Sequence, residues 1–262
     1  MSLLDDLKKK AEQLQTDEQT RSAEASRNIA AVDGKLRQIF SYLEELAKTL
    51  AVIKPEVSKP FILGAEGKFE GLRQSDYFAD YRLCNLQNRD HFDNVSFLFK
   101  STAERALNVE FDDALFAERF EKSLWGYNVP FKRDDSLNAQ RKIVKVNFRV
   151  SPEVRSEFLF QGEHDAGRVK ITCKNAGRFG QDELTFDAEE IDTAWLDELA
   201  KFIMTETNRF KQMGRHQQVK VSIQPVELPV PAYKIHEEPV EEKAPPAGIV
   251  GAVKGLWEIW KK

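Results

Sequence analysis

Histidine and cysteine are the residue types in this chain that could ligate a metal or act as a base or nucleophile. The chain has four histidines and two cysteines. His91-Phe-Asp93 and His164-Asp165 each place an imidazole beside a carboxylate, as in a metal ligand or a general base. Neither has the His-Glu-x-x-His spacing of a helical zinc site. We interpret both as strand-edge or turn residues and expect no metal-binding residue.

The other chemical motifs are weak. Cys84 and Cys173 fall in predicted strands far apart in the sequence, where a cysteine commonly serves as a small buried apolar residue. Gly177-Arg-Phe-Gly180 has the composition of a turn and lacks the spacing of a phosphate-binding loop. We expect no catalytic and no cofactor-binding residue, and the sequence leans towards a protein that is not an enzyme. An enzyme whose groups come from distant strands stays the alternative, because such a site leaves no local motif.

Charge and composition exclude several classes of protein. Hydrophobic residues make up 41% of the chain and charged residues 31%, a globular composition with a polar excess. The net charge of −4 argues against nucleic-acid binding, although Arg141, Lys142, Lys145 and Arg149 form a basic patch. Two cysteines are too few for a disulfide framework, so we expect a cytoplasmic protein. We find no bilayer-spanning apolar run and no signal-peptide pattern.

Residues 1–54 form a predicted helical arm or coiled coil. From Ile29 onwards, apolar residues recur at alternating spacings of three and four, which is a heptad pattern. Pro55 ends this predicted helix. An earlier apolar stripe has a different phase, and the segment between the two stripes is almost wholly polar. The earlier stripe consists of Leu4, Leu7, Ala11 and Leu14. We therefore predict a short helix, a solvated segment and then the heptad helix.

The heptad positions are the predicted contacts between copies of the chain. They are Ile29, Val32, Leu36, Ile39, Leu43, Leu46, Leu50 and Ile53. Leucine at the first core position with isoleucine at the second favours more than two helices, and Phe40 and Tyr42 widen the apolar face. We expect a homo-oligomer of unknown order. The alternative is that the arm packs back on its own domain.

Residues 55–224 form a predicted α+β domain. Several segments alternate apolar and polar residues, as in antiparallel strands with one face in water. The alternating segments are 107–111, 144–150, 169–173 and 219–223, and helical spacing follows at 113–127 and 188–213. We predict an antiparallel sheet of about eight strands with two helices on one face.

The same domain contains a possible tandem repeat. Residues 95–127 and 169–213 each run through strands and then a helix, so the unit would be strand-strand-strand-helix. The sequence identity between the two units is slight, and any two units of this order would look alike.

The C-terminal segment divides into two parts. Residues 225–247 are rich in proline and glutamate and predict a disordered linker. Residues 248–262 predict an amphipathic docking helix that bears two tryptophans. Its docking residues are Ile249, Val250, Val253, Leu256, Trp257 and Trp260. The partner would be an unidentified protein; a membrane surface or the chain's own domain are the alternatives.

Two interaction segments flank a core without a catalytic motif, which predicts a non-enzymatic oligomeric adaptor or scaffold protein. It would self-associate through the N-terminal helix and dock a partner protein through the C-terminal helix. One alternative is a small-ligand-binding domain or enzyme with a pocket between sheet and helix. Another is peripheral attachment to a membrane through the C-terminal helix.

Overall fold

The computed structural model describes residues 3–64, 67–217 and 235–239, with side chains within residues 9–214 of these ranges. The fold is mixed α+β, as the sequence predicts. The helices are α1 (Leu3–Ile53), α2 (Ala114–Gly126), α3 (Thr193–Ile203) and α4 (Phe210–Met213). The strands are β1 (Phe61–Ile62), β2 (Lys68–Phe69), β3 (Arg73–Leu86), β4 (Arg89–Thr102), β5 (Arg105–Phe111), β6 (Phe131–Leu137), β7 (Ile143–Val150), β8 (Glu153–Glu163), β9 (Arg168–Lys174), β10 (Gln181–Asp187), β11 (Arg215–Gln217) and β12 (Ile235–Pro239).

The helix α1 is a single helix of 51 residues, where the sequence predicts two helices joined by a solvated segment. More than half of residues 15–28 are alanine, glutamine, glutamate or arginine, and no proline or glycine interrupts them. Such good helix formers extend a helix whose second half is already held by packing. On a continuous helix with 3.6 residues per turn, the two apolar stripes lie about 30° apart around the helix axis. They therefore share nearly the same side of α1, and the different phase expected from the sequence is not found.

Six strands form the main antiparallel sheet, in the order β11-β10-β9-β8-β4-β3. In β8, Phe158 and Phe160 are fully buried, whereas the alternating Glu157 and Gln161 are not. This alternation gives the sheet one apolar face, which α1 and α3 cover to form the first hydrophobic core. The opposite face carries ion pairs such as Lys174–Glu157 at 3.1 Å, together with the exposed Leu98 and its register partner Phe78.

Four strands form a second antiparallel sheet, in the order β12-β5-β7-β6. With α2 and the small β1-β2 hairpin, it encloses a second hydrophobic core that includes Phe111, Phe120 and Phe148. The carboxylate of Asp113 accepts the Leu115 N–H at 2.7 Å, which caps the start of α2. The single sheet expected from the sequence is therefore divided into two, each with its own helical cover.

The helix predicted over 188–213 is broken in two. Asp192 accepts the Trp195 N–H at 2.8 Å and starts α3 after a short 3-10 turn. Beyond α3, Thr205 has a φ of 58°, and its Oγ1 accepts the Ser58 N–H at 3.0 Å. A left-handed residue held in this way ends the helix, and α4 begins a new turn.

The two proposed repeat units have different topologies. In the first, β4 and β5 belong to different sheets; in the second, β9 and β10 pair with each other. The fold therefore gives the expected repeat no support.

Two C-terminal predictions fall partly or wholly beyond the described residues. Residues 235–239 of the predicted linker form β12, which pairs antiparallel with β5. The rest of the linker and the predicted strand 219–223 lie outside the residues that the structure describes.

Candidate functional site

Four chemistry-bearing side chains meet where α1 crosses the rim of the six-stranded sheet. They are Asp33, Cys84, His91 and His164, and we call them the rim cluster. Cys84 Sγ lies 3.9 Å from His164 Nε2, and His91 Nδ1 lies 3.5 Å from Asp33 Oδ2. The centres of the two imidazole rings are 6.4 Å apart. The tertiary structure thus joins residues that are dispersed in the sequence.

Hydrogen bonds to the backbone of β4 hold the cluster in place. The carboxylate of Asp33 accepts the Phe92 N–H at 2.7 Å and pairs with Arg37 one turn along α1. His164 is buried, and its Nε2 lies 3.0 Å from the carbonyl oxygen of Phe92. Sequence reasoning missed Asp33, because nothing in its spacing distinguishes it from other acidic residues of α1.

The thiol of the rim cluster is poorly suited to nucleophilic chemistry. Burial and the nearby carboxylates of Asp93, Asp33 and Asp90 raise the pKa of Cys84. A raised pKa keeps the thiol protonated near neutral pH, and a protonated thiol is a weak nucleophile and a weak metal ligand. Burial likewise raises the pKa of Cys173, which lies in the first core.

Within the described parts of the chain, no three histidine, cysteine, aspartate or glutamate side chains are grouped so that they could hold a metal ion. What the rim cluster does is anchor α1 to the sheet, together with Asn28, whose amide donates to the Asp165 carbonyl at 3.0 Å.

The anchoring role of Asp33 predicts a specific acid dependence of stability. Burial opposes ionisation of Asp33, but hydrogen bonds from Arg37 and the Phe92 N–H hold its pKa below the ordinary 3.8. A depressed pKa stabilises the fold above the ordinary value, and this contribution is lost as the pH falls through the lowered one. We expect Asp33→Asn to cost about 1 kcal/mol near neutral pH. The difference from wild type should vanish in strong acid, which urea unfolding at several pH values measures.

The control for this variant is Asp134→Asn, which removes an exposed carboxylate from β6. Its stability should follow that of the wild type at every pH. An Asp33→Asn chain whose deficit stays constant from neutral pH into strong acid would contradict the role assigned to the charge.

The structure places most of the predicted oligomerisation residues inside the chain's own core. Those less than a tenth exposed are Ile29, Val32, Leu36, Ile39, Leu43 and Leu50. Leu46 is half-buried against the same core, together with Phe40 and Tyr42, whereas Ile53 is 61% exposed. The sheet therefore covers the heptad face as far as Leu50, as in the alternative in which the arm packs on its own domain.

The first half of α1 extends beyond the sheet. Side chains 9–24 are all exposed, and Leu14 is 62% exposed. Ala25 is partly buried, and the Ser26 hydroxyl accepts from the Gln87 amide at 3.0 Å in the β3-β4 turn. From residue 3 to residue 24 the helix reaches about 33 Å. We call residues 3–24 the projecting arm.

A cleft of about 630 Å³ opens beside β2 and the start of β5. Its walls carry acidic and basic side chains in equal number. These are Glu56, Glu70, Glu104, Lys68, Arg73 and Arg105. Lys68 pairs with Glu70 at 2.6 Å. This cleft is not the predicted ligand pocket. That pocket was expected between α1 and the sheet, where packed side chains fill the space.

Comparisons with protein-family models, with curated proteins and with solved structures found no match.

The predicted docking residues and the basic patch are the remaining predicted sites. Ile249, Val250, Val253, Leu256, Trp257 and Trp260 all lie outside the described residues. In the basic patch, Lys145 pairs with Glu110 at 2.5 Å, so part of its charge is neutralised within the chain.

Among the described helices, none is both long and apolar enough to cross a membrane.

Proposed function

We propose that this protein is a non-enzymatic adaptor that self-associates through the projecting arm of α1. The observation that carries the proposal is the division of α1 into a packed half and an exposed half. Side chains 9–24 are all exposed, although they continue the same rigid element that the first core holds. A helix fixed at one end and exposed at the other presents a preformed surface for a second helix.

The apolar positions of the arm support association at its outer end. By their spacing in the sequence, positions 4, 7, 11 and 14 share one side of a helix, and this is nearly the side that packs on the sheet further along. Glu18 and Arg21 follow on the same side, so the apolar part spans only the first residues of α1. So short a stripe buries little area, which favours a weak contact strengthened by further contacts between the same copies.

The second element of the proposal is the C-terminal docking helix, residues 248–262. Its apolar side, with Trp257 and Trp260, would bind a groove on a partner protein, and a membrane surface is the alternative target. A cytoplasmic location belongs to the same proposal, because both cysteines are free thiols.

Solution mass tests the role of the arm. We expect the full chain to exceed its monomer mass of 30.1 kDa with rising concentration. Leu14→Asp should shift this association to higher concentration by roughly tenfold, because it places a charge in the apolar stripe. Light scattering after size-exclusion chromatography over a concentration series measures the change.

The matched control is Thr16→Asp, which adds the same charge on the opposite side of the same exposed segment. It should associate like the wild type, and circular dichroism should show the same fold for both variants. Equal masses for all three chains at every concentration would contradict self-association through the arm.

A further inference from the structure

Among the described strands, β3 is an edge strand with one side open over most of its length. It runs for 14 residues and pairs with β4 on one side only. On its other side, Arg73 bridges to Glu56, and the Gln74 N–H donates to the Pro55 carbonyl at 3.0 Å. From Ser75 to the end of the strand, no other described strand pairs with this edge. A long unpaired edge is a template for another strand.

The open edge is also unusually apolar. Phe78 is 54% exposed, Tyr81 41% and Leu83 51%, all within six residues. The Tyr81 N–H donates to the carboxylate of Asp80 at 2.9 Å, so this side chain caps a donor of the edge strand. Exposed apolar side chains beside unpaired backbone groups mark a contact surface.

The edge is regular enough to pair. Where β3 and β4 shift register beyond Arg82, the extra residue is Asp93 of β4, so β3 itself continues without a bulge. The bulge in β3 lies earlier, between Ser75 and Phe78. Residues 78–84 thus form an uninterrupted stretch of strand.

We propose that two copies of the chain join through this edge, antiparallel and centred on Tyr81. The two six-stranded sheets would then continue into one another across a two-fold axis. In this register Asp80 of each copy lies opposite Arg82 of the other, and Ala79 lies opposite Leu83. The interface is separate from the projecting arm and goes beyond the proposed function, so a chain that uses both can link more than two copies.

The charged residues of β3 favour a second copy of the chain as the partner and determine the register of the pair. Asp80 and Arg82 are exposed, and neither forms an ion pair with any described residue. In the single chain the Asp80 carboxylate accepts the Tyr81 N–H at 2.9 Å, and it would release this donor to the second copy when it turns to Arg82 there. Centring the pair on Tyr81 makes two opposite-charge contacts, whereas centring it on Asp80 or on Arg82 places like charges face to face. Opposite charges directly across a strand pair stabilise it and like charges destabilise it. The strand is therefore complementary to a second copy of itself.

A charge exchange between two full-length chains tests the proposal. Asp80→Lys gives a chain with two cations at these positions, and Arg82→Glu gives a chain with two anions. Each variant should repel itself, and a mixture of the two should restore both opposite-charge contacts. All chains also carry Leu14→Asp, so that the arm adds nothing to the association.

The measurement is capture between differently tagged copies. We expect Asp80→Lys to capture Arg82→Glu at the level of the unaltered edge, and each variant to capture itself roughly tenfold less. As controls, Asp134→Lys and Arg141→Glu make the same charge changes at exposed sites outside β3. Each control should capture itself, and the other control, as strongly as the chain that carries only Leu14→Asp captures itself.

Three results would overturn the proposal. Equal capture in the self-pairs and in the mixture would mean that residues 80 and 82 of the two copies do not face each other. Weak capture in the mixture as well as in the self-pairs would lead to the same conclusion. A Leu14→Asp chain that stays at 30.1 kDa at every concentration would mean that the edge is covered by another segment of the chain or by nothing. None of these results depends on whether the arm self-associates.

Discussion

Replacing Leu36 by alanine should lower the free energy of unfolding by about 2–5 kcal/mol. Leu36 is completely buried between α1 and the six-stranded sheet, within the largest hydrophobic cluster of the described residues. Truncation removes apolar contacts and leaves a cavity that β8, fixed in the middle of the sheet, can only partly close. If Leu36 instead lay at a contact between two copies of the chain, Leu36→Ala would change the oligomeric state.

Urea unfolding of the monomer at low concentration measures this loss. The control is Leu14→Ala on the projecting arm of the same helix, where the side chain is 62% exposed. That change should alter the unfolding free energy by no more than about 0.5 kcal/mol. If Leu36→Ala proved as mild as Leu14→Ala, the packing of α1 on its own sheet would be contradicted.

Gly162→Ala should destabilise the fold by about 1–3 kcal/mol through overpacking. A Cβ built on Gly162 would lie 2.9 Å from Val32 Cγ1, 3.0 Å from His164 Nε2 and 3.1 Å from Leu36 Cδ1. Val32 and Leu36 are fully buried, and Val32 is β-branched, so neither side chain can move aside freely. The glycine in β8 thus permits the close approach of α1 to the sheet.

The opposite sign is expected for Gly34→Ala, on the exposed side of the same helix. No atom lies within 4 Å of a Cβ built there. Alanine should therefore stabilise α1 by about 0.5–1 kcal/mol, the difference in helix propensity. Thermal and urea unfolding of the two variants should move in opposite directions. If both glycine replacements stabilised the chain, the close helix–sheet contact at Gly162 would be wrong.

Local patterns predicted the elements well where one face of an element is buried. The alternation in β5, β7 and β9 and the apolar spacing in α2 correspond to elements of the structure within a few residues. The strand β3 gave a weaker signal, because an edge strand exposes side chains on both faces and loses the alternation. The break between α3 and α4 depends on Thr205 and its contact with Ser58, which no local pattern contains.

The candidate site was harder to predict than the fold. Cys84, His91 and His164 were visible as residue types, but their meeting with Asp33 requires the pairing of β3, β4 and β8 and the position of α1. The complementary charges of Asp80 and Arg82 were also visible in the sequence. They could not be assigned to an interface before the structure showed that β3 is an edge strand.

The sequence by itself determined that the N-terminal residues carry a regular apolar helical face and that the middle of the chain forms antiparallel strands. Only the tertiary structure decided what covers that face. Heptad spacing describes where the apolar side chains of one helix lie, and it is the same whether a second helix or the chain's own sheet packs against them. Here the sheet covers the helix from Ile29 to Leu50 and leaves side chains 9–24 exposed, because the sheet ends at the β3-β4 turn while the helix continues.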